Sequence, residues 1–233
     1  MNNVRQLVLG RHQRQISCRQ SVLLLLALAT VLLLSACTTF EAPVPVEATA
    51  TPVVEEVTAP ALLVDVTAVD PLPLEQASAP VRLEIPALNL AMPVEAMTWT
   101  IATVEGERTT KWIVPDEALG WHVNSAGAGG AGNTILSGHQ AQGAALLAPL
   151  ALEEVVPGQE ILLTDEEGVT FVYQVRAISK PIPINGASEA EVAEATAYVT
   201  PGETAQLTLV TGWPDFTTTH RLFAQADFLG VAK

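Results

Sequence analysis

From Val81 to the C-terminus the sequence is a series of short β-type runs, most of them cut off by glycine or proline. VRLEIPALNLAMPV (81–94) reads as two strands broken at Pro86, and TKWIVP (110–115) as another. GAGGAGNTILSGHQ is a glycine-rich loop feeding a strand over Asn133–Ser137. QEILLTD and GVTFVYQVRAIS flank Glu166-Glu167-Gly168 as a hairpin, and AQLTLVTG and THRLFAQADF form the last two strands around a loop at Trp213–Thr218. GAALLAPLALEEV (143–155) has helical spacing, and SEAEVAEATAYV predicts a short helix capped by Ser188. Seven or eight short strands with one or two small helices predict a closed or nearly closed all-β barrel. No repeat with a period of about 20–50 residues is present, which argues against a solenoid or propeller.

The chain has 233 residues, 49% of them hydrophobic. That apolar excess is concentrated in the first forty residues and the Ala/Val/Pro-rich stretch that follows. Residues 1–20 are basic, and Ser21–Leu34 (SVLLLLALATVLLL) is an apolar run of 14 residues. A membrane span needs about 20, so the run is the length of a signal-peptide core. Leu34-Ser35-Ala36-Cys37 follows, which resembles the lipobox of bacterial lipoproteins, so residues 1–37 are expected to be a lipoprotein-type signal peptide with Cys37 as the lipidated residue. An uncleaved N-terminal anchor is the alternative. In both cases the arginines stay inside and the body lies outside the cytoplasmic membrane. Residues 38–78, rich in Pro, Ala, Val and Glu, are expected to be an extended tether. Residues 79–233, roughly 155 residues, make one ordinary domain.

Charge divides the chain in the same place. Arg5, Arg11, Arg14 and Arg19 precede the apolar run, and no acidic residue occurs before Glu41. From Thr38 onward there are 7 Lys and Arg against 25 Asp and Glu, a net charge of −18. A body this acidic excludes nucleic acid and anionic headgroups as partners. The two cysteines, Cys18 and Cys37, both precede the folded domain, which therefore contains no thiol and no disulfide. The histidines have no metal-ligand spacing, and no cofactor is implied. The acidic turn Asp165-Glu166-Glu167 reads as solvated.

Three segments then point to a family. Arg82-Leu83-Glu84-Ile85-Pro86-Ala87-Leu88 is similar to the opening strand of sortases. Gly132-Asn133-Thr134-Ile135-Leu136-Ser137-Gly138-His139, preceded by Gly120-Trp121-His122, resembles the strand that ends in the sortase catalytic histidine. Leu207-Thr208-Leu209-Val210-Thr211-Gly212-Trp213-Pro214, followed by Thr219-His220-Arg221-Leu222, resembles the segment in which sortases carry Thr-Cys, a short loop and the catalytic arginine. The whole is most like sortases of classes D, E and F, and covers about residues 80–230.

The resemblance implies a closed eight-stranded barrel with a groove for a sorting-signal peptide. In sortases a thiolate attacks the peptide carbonyl, a histidine moves the proton and an arginine stabilises the developing charge. By this likeness His139 holds the acid/base position and Arg221 the oxyanion position, while Gly212 holds the position of the missing cysteine nucleophile. Trp213 and His122 are groove candidates. Ser137, on the face of His139, is the least unlike a substitute nucleophile, since Thr211 points to the other face. The expected function is that of a surface-anchored, catalytically inactive sortase-family domain with a peptide groove and a sorting-signal peptide or surface protein as partner. Two alternatives stay open: an active cysteine transpeptidase, if Gly212 is a variant of cysteine, and a lipoprotein binding module that uses the barrel as scaffold.

Overall fold

The computed structural model describes residues 62–104 and 106–233. The signal peptide, Cys18, Cys37 and the tether up to residue 61 lie outside the described residues. The strands are β1 (Val66–Thr67), β2 (Pro80–Ile85), β3 (Leu90–Val104), β4 (Glu107–Ile113), β5 (Leu119–His122), β6 (Asn133–Ser137), β7 (Glu160–Asp165), β8 (Thr170–Ile178), β9 (Ile182–Pro183), β10 (Gln206–Trp213) and β11 (His220–Ala232). Two short helices, α1 (Ala148–Ala151) and α2 (Glu189–Val199), accompany them.

Eight of these strands close on themselves in the order β11-β10-β6-β5-β3-β2-β7-β8, and β8 pairs back onto β11. Closure removes the free edges that an open sheet would present. Two contacts in the ring, β10 with β6 and β3 with β5, are parallel, and the others are antiparallel. Inward-facing residues fill the barrel: Leu83, Leu119, Leu136, Leu163, Leu207 and Leu209 are all fully buried. Tyr173 is buried among them, and its hydroxyl accepts a hydrogen bond from Gly129 N–H of the glycine-rich loop at 2.8 Å.

The expected strand breaks are present. Pro86–Leu88 forms a single 3₁₀ turn, closed by Asn89 in the left-handed region (φ 51°). The hairpin at residues 166–168 joins β7 and β8. Ser188 caps α2 with a full capping box, its hydroxyl accepting from Glu191 N–H while the Glu191 carboxylate accepts from Ser188 N–H.

The helical spacing over 143–155 yields only the four residues of α1. Pro149 lies in its first turn, and Glu153 adopts a positive φ of 62° that ends it. β3 is longer than expected. Its outer half, from Thr98 onward, leaves the barrel and pairs only with β4 as a two-stranded ribbon.

Residues 62–78, expected as the end of the tether, pack on the barrel. Val66 and Thr67 pair with Ala232 and Val231 along the end of the long strand β11. Leu63 and Val64 N–H groups donate to the Glu160 carboxylate at 2.5 and 3.1 Å. Glu160 is only 2% exposed, so this arm satisfies a buried acid. Hydrogen-bonding demand from the barrel thus orders a segment whose composition alone favours extension. A chain beginning at residue 79 is expected to lose at least about 2 kcal/mol relative to one beginning at residue 62, a fall in Tm of roughly 4–8 °C in thermal unfolding. An unchanged Tm would show that the arm contributes nothing.

Candidate active site

The site forms around β10, which lies between β6 and β11. Gly212 is directly opposite Arg221 in the β10–β11 ladder, and directly opposite residues share a face. On the other side, Gly138 N–H donates to Val210 O at 3.1 Å, and the Thr211 hydroxyl donates to Gly138 O at 2.9 Å. These two bonds set the backbone of His139 beside Gly212. Gly138 is required there, because a Cβ would approach Leu119 Cδ2 to 2.6 Å and Leu147 Cγ to 2.8 Å. Gly212 and Arg221 thus face each other at one end of β10, with the backbone around Gly138 bonded alongside. Thr211 is 2% exposed and spends its hydroxyl inside the barrel, as strand alternation requires.

The place of a side chain at 212 is not empty. A Cβ built on Gly212 would fall 2.5 Å from Nε2 and 2.7 Å from Oε1 of Gln140. Gln140 is 5% exposed, and its Nε2 lies 2.7 Å from Thr218 Oγ1, 2.8 Å from Thr217 O and 3.3 Å from Pro214 O. The carboxamide therefore covers Gly212 and ties down the loop between β10 and β11. Nothing in the sequence singles out Gln140 apart from its place after His139. It becomes legible only once glycine at 212 is seen to leave room for it.

The other residues of the site are held in different ways. His139 Nε2 lies 3.3 Å from Val114 O and 3.6 Å from Asp116 Oδ1, so its ring is engaged by the segment leading into β5. Arg221 lines, at its solvent-exposed rim, an apolar pocket of about 410 Å³ formed by α2, β9, β10 and β11. Desolvation by these walls lowers its pKa from the usual value, yet arginine remains a cation. Among the described residues the side chain of Arg221 has no carboxylate partner and no hydrogen bond. Trp213 packs against the core and meets His220 edge-on, with ring centroids 5.4 Å apart. His220 in turn bonds Thr219 Oγ1 through Nδ1 at 2.8 Å.

His122 lies apart from this group. It lines a second cavity of about 650 Å³ together with Trp112, Trp121 and the loop 123–127. Its Nε2 is 2.8 Å from Ser137 Oγ, and its ring centroid is 5.0 Å from that of Trp112. Ser137 therefore bonds His122 and is only 8% exposed. In the acidic turn, Asp165 is buried, and its Oδ1 accepts from Glu167 and Val169 N–H groups, a turn-closing role. Among the described residues no three His, Cys, Asp or Glu side chains converge as a metal-ligand set.

Residues 83–228 match the family model of the Sortase domain. The chain belongs to the sortase family. Among solved structures it is similar to a lid mutant of sortase A from Corynebacterium diphtheriae, at 24% identity over 66% of this chain and 73% of that one, with a TM-score of 0.47. It is also similar to sortase E1 from Streptomyces coelicolor with a tripeptide in the active site, at 17% identity over 69% and 93%, TM-score 0.47. A third is the sortase D5 transpeptidase of Clostridium perfringens, at 16% identity over 67% and 84%, TM-score 0.47. No curated protein matches the chain. The closed eight-stranded barrel with two short helices is the sortase fold.

Two outcomes follow for this sortase domain. Gly212→Ala or Gly212→Cys is expected to destabilise it by about 1–3 kcal/mol, because the new Cβ must displace the hydrogen-bonded Gln140 amide. Adding Gln140→Ala is expected to relieve most of that crowding, with a coupling of about 0.5–3 kcal/mol in a double-mutant cycle by urea unfolding. Additive effects would place the two groups out of contact.

The second outcome concerns pH. Burial pushes the His122 imidazole from its ordinary 6.5 down to about 4. The unfolded chain binds this proton first, so stability is full above pH 6.5 and falls as pH drops toward 4. His122→Asn is expected to flatten that slope by about 2–3 kcal/mol in unfolding measured across the window.

Proposed function

We propose that this chain is a sortase-family domain that has lost thiol transpeptidation and that holds a peptide against the outer face of β10 and β11. The observation that carries this reading is the Gln140 carboxamide lying where a nucleophile's Cβ would begin. A nucleophile must present an atom to a carbonyl, and glycine presents none. Loss of the sole nucleophile in comparable triads costs about a million-fold in rate. The remaining positions support the same reading. His139 is engaged by Val114 and Asp116, while Arg221 stays available as a donor of charged hydrogen bonds. In the alternative of an active enzyme with cysteine at this position, the end of the Gln140 side chain would have to move aside.

The domain is proposed to act outside the cytoplasmic membrane, held there by lipid on Cys37 or by an uncleaved N-terminal segment. The arginines before the apolar run and the lipobox-like Leu34-Ser35-Ala36-Cys37 support this placement. No described helix is long and apolar enough to cross a membrane. A sorting-signal peptide or surface protein is the proposed partner. The second alternative, a binding module that uses the barrel only as scaffold, puts the partner on another face.

The test is to incubate the protein with a panel of sorting-signal peptides and an amine acceptor and follow products by mass spectrometry. Turnover is expected to equal that of the His139→Ala variant. Turnover well above that control would overturn the reading. Backbone amide shifts on peptide addition are expected around Val210, Arg221 and Phe223, and shifts confined to other faces would favour the scaffold alternative.

A further inference from the structure

The pocket beside Arg221 combines two features that together narrow its ligand. Its walls are almost wholly apolar: Ile182 and Ile184 from the β9 region, Val192 and Val199 from α2, and Val210 and Phe223 from the barrel. Its one charged lining group is Arg221. This guanidinium has no anionic partner among the described residues, although the chain carries 25 acidic residues and only 11 basic ones. Arg82 and Arg176, on other parts of the surface, each hold a carboxylate at 2.6 and 2.9 Å. The guanidinium at the rim keeps its donors free for a ligand, and a bidentate carboxylate is the anion whose geometry matches a guanidinium best.

A side chain at 212 would share the face of Arg221 and reach into the space over it. Glycine there, with the Gln140 amide turned toward the 214–218 loop, brings no charge to that face. The pocket volume of about 410 Å³ falls in the usual range for a bound small ligand, roughly 300–1,000 Å³.

We propose that this pocket selects peptides that end in a free carboxylate, with apolar side chains seated under α2 and the terminal carboxylate on Arg221. The proposal rests on the peptide-groove reading above and deepens it. An intact internal peptide bond offers Arg221 only a neutral carbonyl, whereas a chain end offers a full negative charge. The domain would therefore report on peptides that have already been cut.

The test uses an equimolar pool of tetrapeptides built from Ala, Val, Leu, Pro and Thr, prepared once as free acids and once as C-terminal amides. Both pools are titrated into the isotope-labelled protein, and the amide resonances of Val192, Val199, Val210 and Phe223 are followed. The free-acid pool is expected to bind about 10- to 100-fold more tightly than the amide pool. Arg221→Gln is expected to abolish the difference, and Arg221→Lys to retain part of it, because lysine keeps the charge without the fork. Arg221 is exposed at the rim, so these variants retain the fold. Equal binding of both pools at these resonances would overturn the carboxylate preference and leave the groove reading standing. Absence of any shift with either pool would overturn the groove reading itself.

Discussion

The site depends on β10 taking β6 on one side and β11 on the other. The β6 contact is parallel and the β11 contact antiparallel, so two segments of very different sequence distance arrive at the same end of β10. His139 lies more than seventy residues before Gly212, while Arg221 follows it by one loop. The buried residues Leu136, Leu207, Leu209 and Leu222 fix this register, because a slip by one residue would turn the apolar side chains outward. The outer face is therefore set by the inner one. Core packing decides which side chains can meet at position 212.

Much of this was legible in the sequence, for physical reasons. AQLTLVTG and THRLFAQADF read as the last two strands, and the family resemblance places Gly212 and Arg221 on them; the register that sets the two opposite each other comes from the fold. The α2 helix was announced by Ser188, and the structure adds Glu191 as its partner in a local capping box. What was not legible depended on distant partners. Residues 62–67 read as tether because they lie within the longer proline-rich stretch 38–78, whereas their order comes from Glu160 and the end of β11. The helix expected over 143–155 shrank to one turn because Glu153 takes a left-handed conformation that spacing does not reveal. Ser137 looked like a neighbour of His139 along the strand, but the β5–β6 pairing brings His122 to it instead.

Gln140 is the least legible residue of the site and the most informative. A glycine in a strand usually marks a close approach of something else, and here that something is a carboxamide bridging to the following loop. The glycine at 212 and the bonds that hold the 214–218 loop are thus one arrangement. A side chain placed at 212 would therefore have to shift the Gln140 amide and its bonds to that loop.

The α2 helix has no buried residue, although it walls the pocket beside Arg221. It is held mainly by the Tyr198–Phe223 stack, 4.8 Å between centroids, and by the Asn133 amide donating to Tyr198 O at 2.9 Å. So few anchors make α2 a unit that opens at far less cost than the barrel beneath it. The wall over the pocket and the strands under it therefore belong to different tiers of stability. The roof can be remodelled by exchange of surface residues along one helix while the barrel register stays untouched, so the shape of the pocket and the stability of the barrel are set by different residues.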